Sequence, residues 1–277
     1  MGNIYWPNYK AQMQTNKSPC ATCIAVDGTS LYYKIIGTGP LLIPMPGATG
    51  TGMVYEPLAT ALSSHFQVAL YDRRGFGNSL LVTPGELDTT THVRTQADDV
   101  AQLIQHLSPG KPATVFAASG SAVMAIDLLQ SRPDLVQHLI LHEPLILDHL
   151  PTQFRSYIKD GMVDGILKYG GSGNRIIRRE LLAYVQGRRD QQRLRRDPHY
   201  ARLMSQPVDE AMLFFKLVLM KGLDISPELA SNPVITLSDV LETAVVFAPG
   251  GHNGFITDAE EFAKKMISAL NSKKAKL

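Results

Sequence analysis

Ala113-Thr-Val-Phe-Ala-Ala-Ser119-Gly-Ser-Ala-Val-Met-Ala-Ile-Asp-Leu-Leu129 is the stretch whose reading decides the fold. Ala113 to Ala117 is a short apolar run that reads as a buried strand, and Ala122 to Leu129 carries an apolar helical pattern. Only small residues stand at the junction: Ala117, Ala118, Ser119, Gly120 and Ser121. A strand that turns this sharply into a helix crowds its own backbone, so positions two before and two after the apex must be small. The apex residue, Ser119, is then pushed outward at the positive end of the following helix. Taken alone, the stretch is better read as an ordinary strand–helix turn with a serine N-cap.

Upstream, Thr22 to Val26 and Leu31 to Ile36 are β-rich runs separated by Asp27-Gly28, a hairpin signal. The apolar run Leu41-Leu42-Ile43 ends in Pro44-Met45-Pro46-Gly47-Ala48-Thr49-Gly50, a turn leading into a helix over Val54 to Leu62. Phe66 to Tyr71 reads as the next strand and Asp72-Arg73-Arg74-Gly75-Phe76-Gly77-Asn78-Ser79 as its turn, with Asp72 and Arg74 as a local charge pair. Val100, Leu103, Ile104 and Leu107 give Thr95 to Leu107 helical spacing. Downstream of the opening stretch, Arg132-Pro133-Asp134 turns the chain into a strand over Leu135 to Leu141, followed directly by His142-Glu143-Pro144. This alternation predicts a mostly parallel sheet with helices on both faces. Ligands bind beyond the carboxyl ends of such strands. Ser119 and Glu143 both fall at that edge.

Pro144 to Ser231 fits no strand–helix alternation. It reads as helices over Ile158 to Tyr169, Ile176 to Val185 and Met212 to Leu219, a helical lid over 144–231. Its middle is basic, with Arg178, Arg179, Arg188, Arg189, Arg193, Arg195 and Arg196. Such a run suits a solvated helix face; the sharper reading is a clamp for a phosphate-bearing substrate through Arg178, Arg179, Arg195 and Arg196. A seventh strand is expected over Pro233 to Leu237, followed by Ser238-Asp239 and a strand over Ala244 to Ala248. Val245-Val-Phe-Ala-Pro-Gly-Gly251-His252 then puts one histidine on a glycine turn at the sheet edge, before a final helix over Asp258 to Leu270.

Three of these motifs resemble the α/β-hydrolase superfamily of serine esterase and lipase type: the small-residue elbow around Ser119, the Asp72 to Ser79 turn, and the glycine turn before His252. The elbow is usually Gly-x-Ser-x-Gly; here Ala117 and Ser121 replace the glycines and keep the size rule. The resemblance implies an α/β-hydrolase fold with Ser119 as nucleophile, His252 as base and an acyl-enzyme mechanism without metal or organic cofactor. It also implies an oxyanion hole from the N–H of Gly120 and that of Gly47 or Ala48. Pro46, which stands where the family often has histidine, has no N–H to give. For the acid the usual position follows the seventh strand, here Asp239, but that loop is short. Fungal lactone hydrolases similar to this chain take theirs from a His-Glu pair after the sixth strand, which favours Glu143 over Asp239. A non-catalytic ligand-binding member of the fold, or one that runs a lyase or C–C cleavage reaction, remains an alternative.

Composition bounds the rest. The 277 residues are 44% hydrophobic and 19% charged, with 27 basic and 25 acidic side chains for a net +2, so no global field argues for nucleic acid. No apolar run reaches the ~18 residues of a membrane span. Cys20 and Cys23 form a lone Cys-x-x-Cys before the first strand, read as incidental. The expected organisation is a flexible segment over 1–18, a core over 19–143 and 232–271, the lid between them, and a tail over 272–277. That tail, with Ala275-Lys276-Leu277, resembles a peroxisomal address read by an import receptor. Together these features resemble peroxisomal α/β-hydrolases of fungal host-selective toxin clusters, and imply a small acyl substrate, an acyl-coenzyme A among the candidates. Cytoplasmic residence is the alternative.

Overall fold

The computed structural model describes residues 23–26, 29–47, 49–79, 91–144, 216–223 and 231–274. The strands are β1 (Cys23–Val26), β2 (Thr29–Ile36), β3 (Leu41–Met45), β4 (Gln67–Tyr71), β5 (Ala113–Ala118), β6 (Val136–His142), β7 (Leu217–Gly222) and β8 (Val245–Ala248). They form one sheet in the order β1-β2-β4-β3-β5-β6-β7-β8. β1 and β2 pair antiparallel, as do β2 and β4. Every pairing from β4 onward is parallel.

Side chains alternate across the pleat and so build two cores. Ile43, Val115, Ala117, Leu139, Leu141 and Leu219 face one layer, with helices α2 (His92–Leu107), α3 (Ser121–Ser131) and α4 (Ser231–Val240). Leu42, Phe116, Ala118, Ile140, Val218 and Met220 face the other, with α1 (Glu56–Leu62), α5 (Gly254–Thr257) and α6 (Ala259–Lys274). β5 and β6 sit in the middle and are buried on both faces, each apolar side chain there worth about 1.5–3 kcal/mol of transfer free energy. The architecture is an α/β-hydrolase fold.

Two expected elements change type. The seventh strand is Leu217–Gly222, not Pro233–Leu237, so the helix expected over Met212 to Leu219 gives way to sheet there and the core reclaims these residues from the span assigned to the lid. Leu217-Val-Leu-Met220 is a continuous apolar run, and periodicity cannot separate a buried strand from a buried helix in so short a segment. Residues 233–237 lie instead within α4. Val234 is fully buried, and Leu237 and Leu241 pack partly against the same core. That spacing of three and four is helical and overrides the β preference of Val234-Ile235-Thr236.

The charge pair expected between Asp72 and Arg74 is also absent. Arg74 Nε and Nη2 donate to the two carboxylate oxygens of Asp99 on α2, at 2.7 and 2.5 Å. Asp72 accepts from Thr51 Oγ1 and the N–H of Gly52, and from the N–H and Nδ2 of Asn78. It knots two turns together. Gly77, at φ 50°, lies so close that a Cβ there would stand 2.2 Å from Asp72 Oδ2.

Candidate active site

The site grows from the carboxyl ends of β5, β6 and β8. Ala118 and His142 are the last register partners of β5 and β6, so the next residues, Ser119 and Glu143, emerge side by side. Both adopt positive φ, 58° and 45°. Non-glycine residues rarely occupy that region, and such outliers gather where the surrounding fold holds a functional group in place.

At the elbow, Ser119 N–H donates to the His142 carbonyl at 3.1 Å. Ser121, where the family has glycine, adds a clasp: its Oγ donates to the Ala118 carbonyl at 2.9 Å and accepts from the Ala118 N–H at 3.1 Å. Gly120 caps α3 in a right-handed conformation, at the positive end of an eleven-residue helix.

Glu143 is 4% exposed. Its Oε2 lies 2.8 Å from His252 Nδ1, and its Oε1 accepts from the Gly222 N–H at 3.0 Å. Its own N–H donates to the Met220 carbonyl at 3.2 Å. Burial alone would push the carboxyl up. The hydrogen bond to His252, the charge of His142 and the Gly222 N–H outweigh that and hold it below the ordinary carboxylate range. The close approach depends on Gly222, whose Cβ would stand 2.6 Å from the Gly250 carbonyl. Seen from the other partner, the His252 side chain is 45% exposed. One ring nitrogen is gripped while much of the ring faces outward.

The opposite wall is the turn after β3. Arg73, fully buried, donates from Nη2 to the Gly47 carbonyl at 2.9 Å, and the Gly50 N–H donates to the same oxygen at 3.1 Å. The guanidinium also lies 4.7 Å from the centroid of the Phe76 ring. Arg73 drew no role from the sequence, since an arginine beside another in a turn looks solvent-facing until the fold covers it.

Asp239 sits exposed on α4, and the acid that meets His252 is Glu143. Ala48, Arg178, Arg179, Arg195 and Arg196 lie outside the described residues, as do Ala275-Lys276-Leu277 and nearly all of the span assigned to the lid. Cys23 opens β1 opposite Tyr32, and Cys20 lies outside the described residues. Among the described residues no group of three or more His, Cys, Asp or Glu side chains is placed to hold a metal ion, and no helix is long and apolar enough to cross a membrane.

The fold and this strand-edge site define the chain as an α/β-hydrolase. Residues 40–206 match the family described as serine aminopeptidase, S33, and the chain belongs to it. Over 267 residues, 91% of this chain and 96% of the relative, it is 26% identical to a hydrolase of uncharacterised activity from Bacillus subtilis, YraK. Two solved structures share the fold. A bacterial membrane phospholipase A described as a virulence factor superposes with a TM-score of 0.67 at 18% identity, covering 91% of this chain and 86% of that one. The thioesterase domain of the curacin biosynthetic pathway gives 0.61 at 19%, covering 88% and 98%. The chain is thus a hydrolase-type enzyme of this superfamily.

Proposed function

We propose that the protein is a serine hydrolase that cleaves an ester, thioester or lactone through an acyl-enzyme, with Ser119 as nucleophile, His252 as general base and Glu143 as its acid partner. The observation that carries this reading is the juxtaposition at neighbouring strand ends: Ser119 at φ 58° on the elbow, beside a buried Glu143 bonded to His252 Nδ1 at 2.8 Å. Glu143 accepts from Nδ1–H, which fixes the imidazole tautomer whose Nε2 is the basic atom.

Ser119 Oγ then attacks the acyl carbon while its proton passes to Nε2. The tetrahedral oxyanion is held by the N–H of Gly120 and by that of Gly47 or Ala48, each donor worth about 3 kcal/mol in comparable sites. Collapse breaks the bond to the leaving group, which takes the proton from Nε2. Water adds to the acyl-enzyme by the same route in reverse, giving the free acid and restoring Ser119. Throughout, Glu143 stays ionised and stabilises the imidazolium.

The test is labelling with a fluorophosphonate probe followed by a panel of acyl esters and thioesters of graded chain length. Ser119 should carry the label, and Ser119→Ala should lose both labelling and turnover, the latter by on the order of 10⁶ in kcat. A folded wild type that neither labels nor turns over any of the panel would make the chain a ligand-binding member of its fold.

A further inference from the structure

His142 is a buried titratable side chain beside the site that the hydrolytic steps leave unused. It ends β6, fully buried, directly before Glu143. Its ring lies 5.0 Å from that of Phe262 and 5.9 Å from that of Phe255, both edge-on, and 6.4 Å from that of Phe116. The imidazole of His252 stacks over it at 6.2 Å, the planes 25° apart.

The ring's polar neighbours in this apolar nest lie on the main chain of the turn, at His252 and Gly251. His142 Nε2 lies 3.2 Å from the main-chain carbonyl oxygen of His252. A carbonyl can only accept, so Nε2 carries the proton. In the neutral ring Nδ1 is then bare, and it has no hydrogen-bond partner among the described residues. Burial pushes the ring down to about 4, a shift the charge of Glu143 only partly opposes, so the neutral form prevails at neutral pH. Among the described residues, the titratable groups facing the ring are Glu143 and His252, and its ring neighbours are Phe116 from β5, Phe255 from α5 and Phe262 from α6.

We propose that His142 is a positioning residue for His252: its Nε2–H anchors the His252 carbonyl and holds the Gly251–Asn253 turn where Nδ1 meets Glu143. The proposal rests on the hydrolase reading of Ser119, Glu143 and His252. β6 would then supply both grips on His252, one on its main chain and one on its ring. The need is physical. Gly250, Gly251 and Gly254 surround the turn, and glycine-rich backbone is poorly restrained on its own. A neutral donor supplies the restraint without placing a second positive charge beside the imidazolium that forms during the reaction.

Proton and nitrogen-15 NMR of the histidine side chains at about pH 7 reads the grip without any substrate. In the wild type His142 should show the neutral Nε2–H form, and the His252 Nδ1–H bonded to Glu143 should give a proton resonance far downfield of a solvent-exposed imidazole. His142→Phe keeps a flat ring in the stack and removes the donor; the freed turn should weaken the Glu143 contact, and that resonance should move upfield or be lost to exchange. His142→Gln retains an N–H donor and should bring the resonance back. With an ester substrate, His142→Phe should lower kcat roughly tenfold with KM changed less than about twofold, and His142→Gln should recover most of the loss.

A merely structural role would change the folded fraction and leave the resonance of the folded molecules alone. An unmoved resonance in His142→Phe overturns the proposal, and so does a glutamine variant that behaves like the phenylalanine one. Should the phenylalanine variant not fold, His142→Leu, which also lacks a donor, takes its place in the same comparison. A wild type inactive on esters and unlabelled at Ser119 breaks the hydrolase reading instead, and the NMR comparison still decides the grip.

Discussion

Asp99 and Glu143 are both buried carboxylates paired with basic side chains, and the two pairs are built differently. Asp99 on α2 gives both oxygens to the fork of Arg74, and the Arg74 and Asp99 side chains are 10% and 1% exposed. Glu143 gives one oxygen to His252 and the other to a backbone N–H, and its partner is 45% exposed. Arginine keeps its proton at any pH a protein meets, so the first pair is a fixed clamp between the β4 turn and α2. Imidazole exchanges its proton near neutrality, so the second pair can take a proton and return it. Burial of the acid is common to both; the partner's freedom to titrate and to reach solvent separates a strut from a reactive pair.

The comparison breaks most visibly at Glu143. Glu143→Gln preserves size and keeps an oxygen for the Gly222 N–H. Its amide N–H₂, turned to His252, makes Nδ1 the acceptor and drives the proton to Nε2, the atom proposed to receive it from Ser119. A comparable change in a related triad lowers kcat by ~10⁴. Steady-state kinetics beside a thermal melt should show that loss with a nearly unchanged Tm. A variant with wild-type kcat would remove Glu143 from the proposed triad.

At the strut the effect should fall on stability instead. Asp99→Asn removes the carboxylate charge facing the buried Arg74 guanidinium, and breaking one side of such a pair costs about 3–5 kcal/mol. Urea unfolding should show that decrease, while kcat per folded molecule stays at the wild-type level. Equal losses of kcat at Asp99 and Glu143 would mean the two pairs do not divide as argued.

The reactive end should also make stability depend on pH. His142 is held neutral down to about pH 4, whereas the unfolded chain protonates it near its ordinary 6.5. Between those values the unfolded state binds the extra proton, so stability rises with pH there and is lost on acidification. The displacement corresponds to roughly 3 kcal/mol. Glu143, held below its ordinary 4.5, acts in the same direction: its contribution is present above 4.5 and disappears as pH falls through its lowered value. Melts at pH 7, 5.5 and 4.5 should show a falling Tm, and His142→Phe should flatten the fall between 6.5 and 4.5.

Local sequence carried the turns and misassigned the partner of Arg74; Glu143 as the acid for His252 was expected only through the family resemblance. The elbow, the Asp72 to Ser79 turn and the Gly250 to His252 turn are each written in a few adjacent residues, because steric demands on small side chains and glycines act locally. The partner of Arg74 lies 25 residues away, and Glu143 and His252 are 109 apart. Nothing local tells Arg74 to choose Asp99 over Asp72. The swap of strand and helix between 217–222 and 233–237 has the same origin: both segments are short and apolar, and which one the sheet takes depends on the edge left open beside β6. His142 and Arg73 were visible only as neighbours of more familiar residues, since a buried side chain shows its role through what the fold packs around it.

The smallest expected effect is at Asp239, and it decides whether strand identity or acidity selects the partner of His252. An acid placed after a seventh strand over residues 233–237 would reach the sheet edge. Those residues instead belong to α4, which carries Asp239 exposed on its surface. The true seventh strand ends at Gly222, whose N–H serves Glu143. Its role at the site is therefore to hold the acid of β6. Asp239→Asn should leave kcat and KM within about twofold of wild type and stability within roughly ±0.5 kcal/mol, as for a surface change remote from any partner. The decisive measurement is the double variant with Glu143→Gln. If Asp239 supplies no fallback carboxylate, adding Asp239→Asn should leave the residual rate of Glu143→Gln untouched, because distant independent sites combine additively. A further drop of tenfold or more in the double variant would show that Asp239 reaches His252 when Glu143 is disabled, and the division between the two pairs would then need a third carboxylate.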